Sequence, residues 1–210
     1  MATNLYLTTG YGGSIWNGRP NPSDPAPQLY KEYSDPNATE YLYQIAADNV
    51  VFNPAFTAIV VGDEGSIIGS DRYGAEISTW GLLHTASGPL YGIAYGNNVW
   101  IACGQNNLIV KSTGGTTWTE SQGAVPGAKW QWMCFGNGRF VAVGGVTLPD
   151  PDNPGQQIRS GAIMYSDDDG STWIKGNPGT NNYLYSVTYS PELGMFVAVG
   201  EAGTIVSVKG

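Results

Sequence analysis

The sequence predicts an all-β fold assembled from a repeated unit of short antiparallel strands. Three observations predict it. Runs of β-branched and aromatic residues bounded by Gly and Asn recur along the chain, and such runs are strand-and-turn chemistry. The pattern returns about every 40–50 residues, the period of solenoids, propellers and arrays. No long stretch carries helical hydrophobic spacing.

The N-terminus reads as a partial copy. Leu5-Tyr6-Leu7-Thr8-Thr9-Gly10 and Gly13-Ser14-Ile15-Trp16 match the second and third strands of later units. The next copy starts at Leu42-Tyr43-Gln44-Ile45-Ala46. It continues through Ala58-Ile59-Val60-Val61-Gly62 and Gly65-Ser66-Ile67-Ile68 and closes at Thr79-Trp80. The clearest copy runs Leu90 to Tyr95, Val99 to Gly104, Leu108 to Ser112, then Gly115-Thr116-Thr117-Trp118. Another gives Trp132 to Phe135, Phe140 to Gly144 and Ile163 to Ser166. The last gives Leu184 to Tyr189, Phe196 to Gly200 and Gly203 to Val206.

Several runs, such as Phe140 to Val143, are apolar on consecutive positions. A strand covered on both faces reads that way, and sheets stacked around an axis supply that cover. The expectation is a small β-propeller in one domain, 1–210. Copies of the Ala-Val-Gly strand suggest five blades, with four or six as alternatives. The chain opens and closes in mid-unit, so the N- and C-terminal strands are expected to close the ring by completing one blade together.

Composition narrows the function. Charged residues are 12% of the chain and Gly numbers 30, unlike an aromatic-poor, highly charged disordered chain. The net charge of -8 and nine scattered basic residues disfavour a nucleic-acid backbone and an anionic membrane surface. No apolar stretch approaches the roughly 18 residues of a membrane helix. The N-terminus lacks the pattern of a secretory signal. Cys103 and Cys134 fall in different units and are expected to be free, buried thiols. With His84 they cannot make a standard zinc site, so no metal or cofactor is expected.

Ser166-Asp167-Asp168-Asp169-Gly170-Ser171-Thr172-Trp173 reads S-x-D-x-G-x-T-W. It resembles the Asp-box of sialidase-type (BNR) propellers. Ser166, Asp168, Gly170, Thr172 and Trp173 fill the pattern. The Leu90 unit retains Gly115, Thr117 and Trp118 but has Thr113 in place of the Asp. In such a turn the Asp accepts N–H bonds, the Gly permits the bend and the Trp packs between sheets. The resemblance covers about residues 42–210 and implies fold, not activity. A calcium ion on Asp167–Asp169 is the competing reading, but consecutive carboxylates point apart and hard cations want six or more oxygens.

An enzyme is not expected. The arginines Arg19, Arg72, Arg139 and Arg159 are dispersed, whereas the sialidase resemblance would require an Arg cluster. A glycosidase needs two facing carboxylates, and Glu64 and Glu201 occupy equivalent turns. Glu76, Glu120 and Glu192 are the other candidates.

Two insertions interrupt the repeat, and unusually long loops often carry function. The first, 17–41, is Pro-rich, and its Tyr30, Tyr33 and Tyr41 read as a subunit-contact arm, consistent with a homo-oligomer. The second, 146–161, offers Asp150, Asp152, Asn153, Gln156 and Arg159 as a binding loop. The acidic, Gly- and Tyr-rich style also resembles propeller modules of bacteriophage virions. That resemblance implies a non-enzymatic tail, fibre or capsid-associated protein, located in the virion. Its partners would be other virion proteins or a cell-surface glycan or receptor. A lectin-like propeller and a sialidase-like glycosidase are the alternatives.

Overall fold

The computed structural model describes residues 6–10, 14–21, 24–33, 39–47, 58–73 and 76–210. They form five antiparallel sheets in chain order. Sheet I holds β1 (Tyr6–Gly10), β2 (Ser14–Asn21) and β3 (Asp24–Tyr33). Sheet II holds β4 (Leu42–Ala47), β5 (Ala58–Gly62), β6 (Ser66–Tyr73) and β7 (Glu76–Thr85). Sheet III holds β8 (Leu90–Gly96), β9 (Val99–Gly104), β10 (Leu108–Thr113) and β11 (Thr119–Gln122). Sheet IV holds β12 (Lys129–Gly136), β13 (Arg139–Pro149), β14 (Gln157–Ser166) and β15 (Ile174–Gly176). Sheet V holds β16 (Leu184–Ser190), β17 (Met195–Gly200) and β18 (Ile205–Lys209).

Each sheet is a meander of strands consecutive in the chain. Asn97-Asn98 and Asn137-Gly138 make two-residue hairpins with positive φ at both positions. That conformation is one Asn and Gly adopt readily.

The sheets stack face to face through successive apolar cores. Ile15 of sheet I meets Leu42, Val60 and Ile68 of sheet II. Ile59, Val61 and Ile67 of sheet II meet Leu90, Ile93 and Trp100 of sheet III. Ile101, Cys103 and Ile109 meet Trp130, Met133 and Phe140 of sheet IV. Val141, Val143 and Ile163 meet Leu184, Val187 and Phe196 of sheet V. Each fully buried side chain of this size contributes roughly 1.5–3 kcal/mol. The consecutive apolar run of β13 is thereby explained: Phe140 and Ala142 face sheet III, while Val141 and Val143 face sheet V.

The stack is not straight. The buried Gln44 side chain of β4 donates from Nε2 to Met133 O of β12 at 2.9 Å. Its Oε1 accepts from Ile93 N of β8 at 3.1 Å and Met133 N at 3.3 Å. Stacked sheets lie about 10 Å apart, so in a straight pile sheets II and IV would be about 20 Å apart. One side chain joining them requires the first strands to converge on an axis, a propeller-like arrangement.

Three expectations differ from the structure. The terminal strands do not share a blade, since β1–β3 and β16–β18 form separate three-stranded sheets. Within the 17–41 segment, residues 17–21 and 24–33 are ladder and not irregular insertion, because β2 continues to Asn21 and pairs with β3, while 34–38 lie outside the described residues. Proline is tolerated there: Pro25 and Pro27 lie on the edge strand β3, and Pro20 sits at a register shift between Arg19 and Asn21. Residues 146–161 are mostly ladder, pairing from Val146↔Ser160 to Pro149↔Gln157. Only the tip between Pro149 and Gln157 is a turn.

Candidate functional site: a tyrosine rim

The first strand of each of sheets II to V carries a register shift just after its opening apolar residue. The shifts fall between Leu42/Gln44, Leu90/Gly92, Trp130/Trp132 and Leu184/Ser186. The residues left out of the ladder are Tyr43, Tyr91, Gln131 and Tyr185. A bulge leaves its extra residue unpaired and re-aims the side chain. The Gly paired with the opening apolar residue lets the chain entering the first strand approach closely. A Cβ at Gly104, Gly144 or Gly200 would run into the carbonyl oxygen of Pro89, Lys129 or Tyr183. First strands begin and second strands end on the same side of a meander, so these tyrosines share one rim.

At sheets II and III the rim is aromatic. Tyr43 meets Tyr91 edge-on at 5.0 Å and stacks against Tyr41 at 6.2 Å. Lys129 Nζ sits 4.3 Å over the Tyr91 ring, a cation–π contact. Tyr91 Oη donates to Gln105 Oε1 at 3.1 Å, and Asp63 Oδ1 accepts from Tyr41 N at 2.8 Å. Desolvation, and then the Asp63 charge beside Tyr43, raise the hydroxyl pKa of Tyr43; burial also raises that of Tyr91. Both therefore remain neutral donors at ordinary pH.

At sheets IV and V the rim is an ion-pair cluster on the same aromatic theme. Arg159 pairs with Glu201 Oε1 at 2.8 Å and lies 4.1 Å over the Tyr183 ring. Tyr185 Oη donates to Glu201 Oε1 at 3.0 Å, and Tyr183 N donates to Glu201 Oε2 at 3.3 Å. The hydroxyls of Tyr183 and Thr147 are 2.7 Å apart. Desolvation pushes the Glu201 pKa up, but the bonds from Tyr185 and Tyr183 and the Arg159 charge outweigh it, so the net shift is downward. Tyr185, donating to that carboxylate, is raised.

The predicted binding loop divides. Arg159 belongs to the rim cluster. Asp150 closes the hairpin tip on itself, accepting from Asp152 N at 2.9 Å and Asn153 Nδ2 at 2.8 Å. Gln156 N donates to Asn153 O and its carbonyl accepts from Asp150 N. The Asn153 bond, then the Asp152 bond, lower the Asp150 pKa. Asp152 and Gln156 are exposed at the tip. Of the predicted arm, Tyr41 stands on the rim, while Tyr30 and Tyr33 fall on β3 and their side chains lie outside the described residues. Sequence reading missed Tyr43, Tyr91, Lys129, Tyr185 and Glu201 as one site. The recurring Leu-Tyr start was the signal that could have found them.

The S-x-D-x-G-x-T-W turn occupies the opposite rim, between third and fourth strands. Asp168 Oδ1 accepts from Ser166 Oγ and Thr172 N, each at 2.8 Å, and Oδ2 accepts from Thr172 Oγ1 at 2.6 Å. These bonds, the Thr172 hydroxyl first, hold its pKa down to about 2. Gly170 has φ 74 and donates to Ser166 Oγ at 2.8 Å, a bend that favours glycine. Trp173 packs into the core between sheets III and IV. The three aspartates part company, since Asp167 binds Arg139 at 2.6 Å and Asp169 accepts from Asn97 at 2.9 Å. In the incomplete unit, Ser112 Oγ accepts from Gly115 N and Trp118 Nε1 donates to Gly115 O. Thr117 precedes that indole. In sheet II the third and fourth strands pair as far as Tyr73↔Glu76, and Gly74 lies outside the described residues.

The other carboxylates once weighed as catalytic are dispersed. Glu64 Oε1 accepts from Thr39 Oγ1 and Glu120 from Ser87. His84 lies 3.9 Å from Glu120. Glu192 sits in the β16–β17 turn, and the side chains of Glu76, Arg19 and Arg72 lie outside the described residues. Cys103 of sheet III and Cys134 of sheet IV are free thiols, packed at the III–IV and IV–V interfaces respectively. Burial raises both pKa values, that of Cys134 to about 12.

Comparison with known proteins agrees with the architecture. No family model matches the chain, and no curated protein matches it in sequence. Among solved structures, a chain in the crystal structure of a nidogen/laminin complex is similar, with a TM-score of 0.63 at 15% identity. The match covers 99% of this chain and 79% of that one. The computationally designed Ika4 protein is similar at a TM-score of 0.53 and 15% identity, covering 80% of this chain and 90% of that one. At such identity the likeness is one of fold. The chain is all-β with a propeller-like arrangement of antiparallel sheets, and no helix among the described residues is long and apolar enough to cross a membrane.

Proposed function

We propose that the chain is a non-enzymatic interaction propeller whose binding surface is the tyrosine rim. The observation that carries this is the repeated bulge, which turns Tyr43 and Tyr185 out of their ladders onto one side, partly exposed, with Tyr91 buried against Tyr43. Tyr and Arg dominate binding hot spots because they offer large, amphipathic contact area. The solved complex of nidogen with laminin supports a protein partner for this fold, and the proposal for this chain is likewise a protein partner. The carboxylate chemistry supports a binding role over hydrolysis. Glu201, Asp150 and Asp168 are held below the usual carboxylate range, whereas a glycosidase acid needs its pKa raised. The Asp-box assignment of the 166–173 turn is part of this reading.

We also infer that the five sheets are five blades and that sheet I closes the ring onto sheet V. Ile205 occupies the position of Ile67 and Ile109, which are fully buried under the next sheet, yet Ile205 is 71% exposed. A bacteriophage virion is the proposed setting, resting on the resemblance in composition, and the 17–41 hairpin is the proposed contact to a neighbouring subunit. Stacked tyrosines also suit sugar rings, so a glycan is the second reading. The test is retention of bacterial and animal glycans and of cell-envelope proteins on the immobilised protein. The reading requires that Tyr43→Ala with Tyr185→Ala abolish retention, and it fails if these variants retain as well as the parent.

A further inference from the structure

Three interfaces of the stack each hold a tryptophan from the strand-four region of the later sheet. Trp80 packs at the interface of sheets I and II, Trp118 at II and III, and Trp173 at III and IV. Trp118 and Trp173 each stand one residue before a short fourth strand, β11 or β15, which pairs antiparallel with the third. Sheet V has no fourth strand among the described residues, and none of them pairs with the outer edge of β18. At the interface of sheets IV and V, where the next tryptophan would fall, there is instead a cleft of about 430 Å³. Its walls include Val141, Ile163, Ala198, Val206 and Val208. Val141 corresponds in the repeat to Ile101, which lies in the core that receives Trp173.

We propose that this cleft and the β18 edge together receive an extended segment of a partner protein. The segment carries an aromatic residue immediately before a short strand. The aromatic side chain enters the cleft, and the strand adds antiparallel to β18 as the fourth strand of sheet V. Strand addition at an open edge supplies main-chain bonds, and the pocket supplies specificity. A volume of about 430 Å³ falls within the usual span of ligand pockets. Charge points to an acidic residue in the same segment. The chain carries -8 overall, yet Lys175 lines the cleft, Lys209 lies on β18, and neither makes an ion pair among the described residues.

The inference deepens the interaction reading and rests on it, but it uses a surface separate from the rim. The probe is a synthetic peptide with the sequence of residues 112–123, which contains Trp118 and Glu120 in the required order. Calorimetric titration of the intact protein should show saturable binding. Replacing the peptide tryptophan by alanine should weaken binding at least tenfold. Val208→Trp, which fills the cleft from a half-exposed position, should abolish it while the circular dichroism spectrum stays that of the parent. Absence of saturable binding, or equal affinity for the alanine peptide, would overturn the assignment. Self-association of the protein that Val208→Trp disperses would put a second copy in the cleft and overturn it equally. Failure of the parent protein to bind the peptide, with rim-dependent retention intact, would refute this inference alone.

Discussion

Gln44 and Met133, 89 positions apart, are joined side chain to main chain at 2.9 Å across the middle of the molecule. The same amide accepts from Ile93, so one residue ties the first strands of sheets II, III and IV. Substituting Gln44→Leu keeps the volume and strands buried backbone groups of Ile93 and Met133. Each such group costs about 1–3 kcal/mol, so the variant should lose about 3 kcal/mol in urea unfolding. A loss below about 0.5 kcal/mol, typical of an ordinary surface change, would mean the first strands do not depend on this staple.

The Asp168 turn predicts a specific acid response. Its folded pKa of about 2 lies below the roughly 3.9 of an unfolded aspartate. Its contribution is therefore complete above about pH 4 and is lost as pH falls through about 2. Urea midpoints measured from pH 5 to pH 2 should fall less steeply in Asp168→Asn than in the parent. Identical slopes would remove the turn carboxylate from the acid transition.

Ring closure makes its own prediction at Ile205. Ile205 is 71% exposed in the structure; if sheet I closes over sheet V in solution, Ile205→Asp places a carboxylate under that cover and should cost about 2 kcal/mol. The control is Leu193→Asp in the β16–β17 turn, where Leu193 is 68% exposed; it should stay within about 0.5 kcal/mol. Equal effects in thermal or urea unfolding would show the outer face of sheet V standing open.

The architecture was legible because a repeat states its own period, and because Phe140 to Val143 could be apolar throughout only with cover on both faces. The turn at Asp168 was legible for a similar reason: its side-chain chemistry is local, satisfied within seven residues. The site was not. A bulge at Tyr43 or Tyr185 comes from main-chain register, and no residue type announces it. Gln44 reads as an ordinary strand residue until three first strands meet around it. Pro149 and the aspartates after it looked like a free binding loop, but the ladder runs through Pro149↔Gln157 and Asp150 is consumed by the tip. Pro20, Pro25 and Pro27 misled in the same way, because an edge strand and a bulge can hold them.

The proposed rim binds without catalysing. The most direct measurement incubates the protein with a panel of bacterial and animal glycans and assays both retention and released product. No product is expected from any member, and any retention should be lost with Tyr43→Ala and Tyr185→Ala. Product released by the parent and abolished by Glu201→Gln would contradict it, and would make the Arg159–Glu201–Tyr185 cluster a catalytic centre.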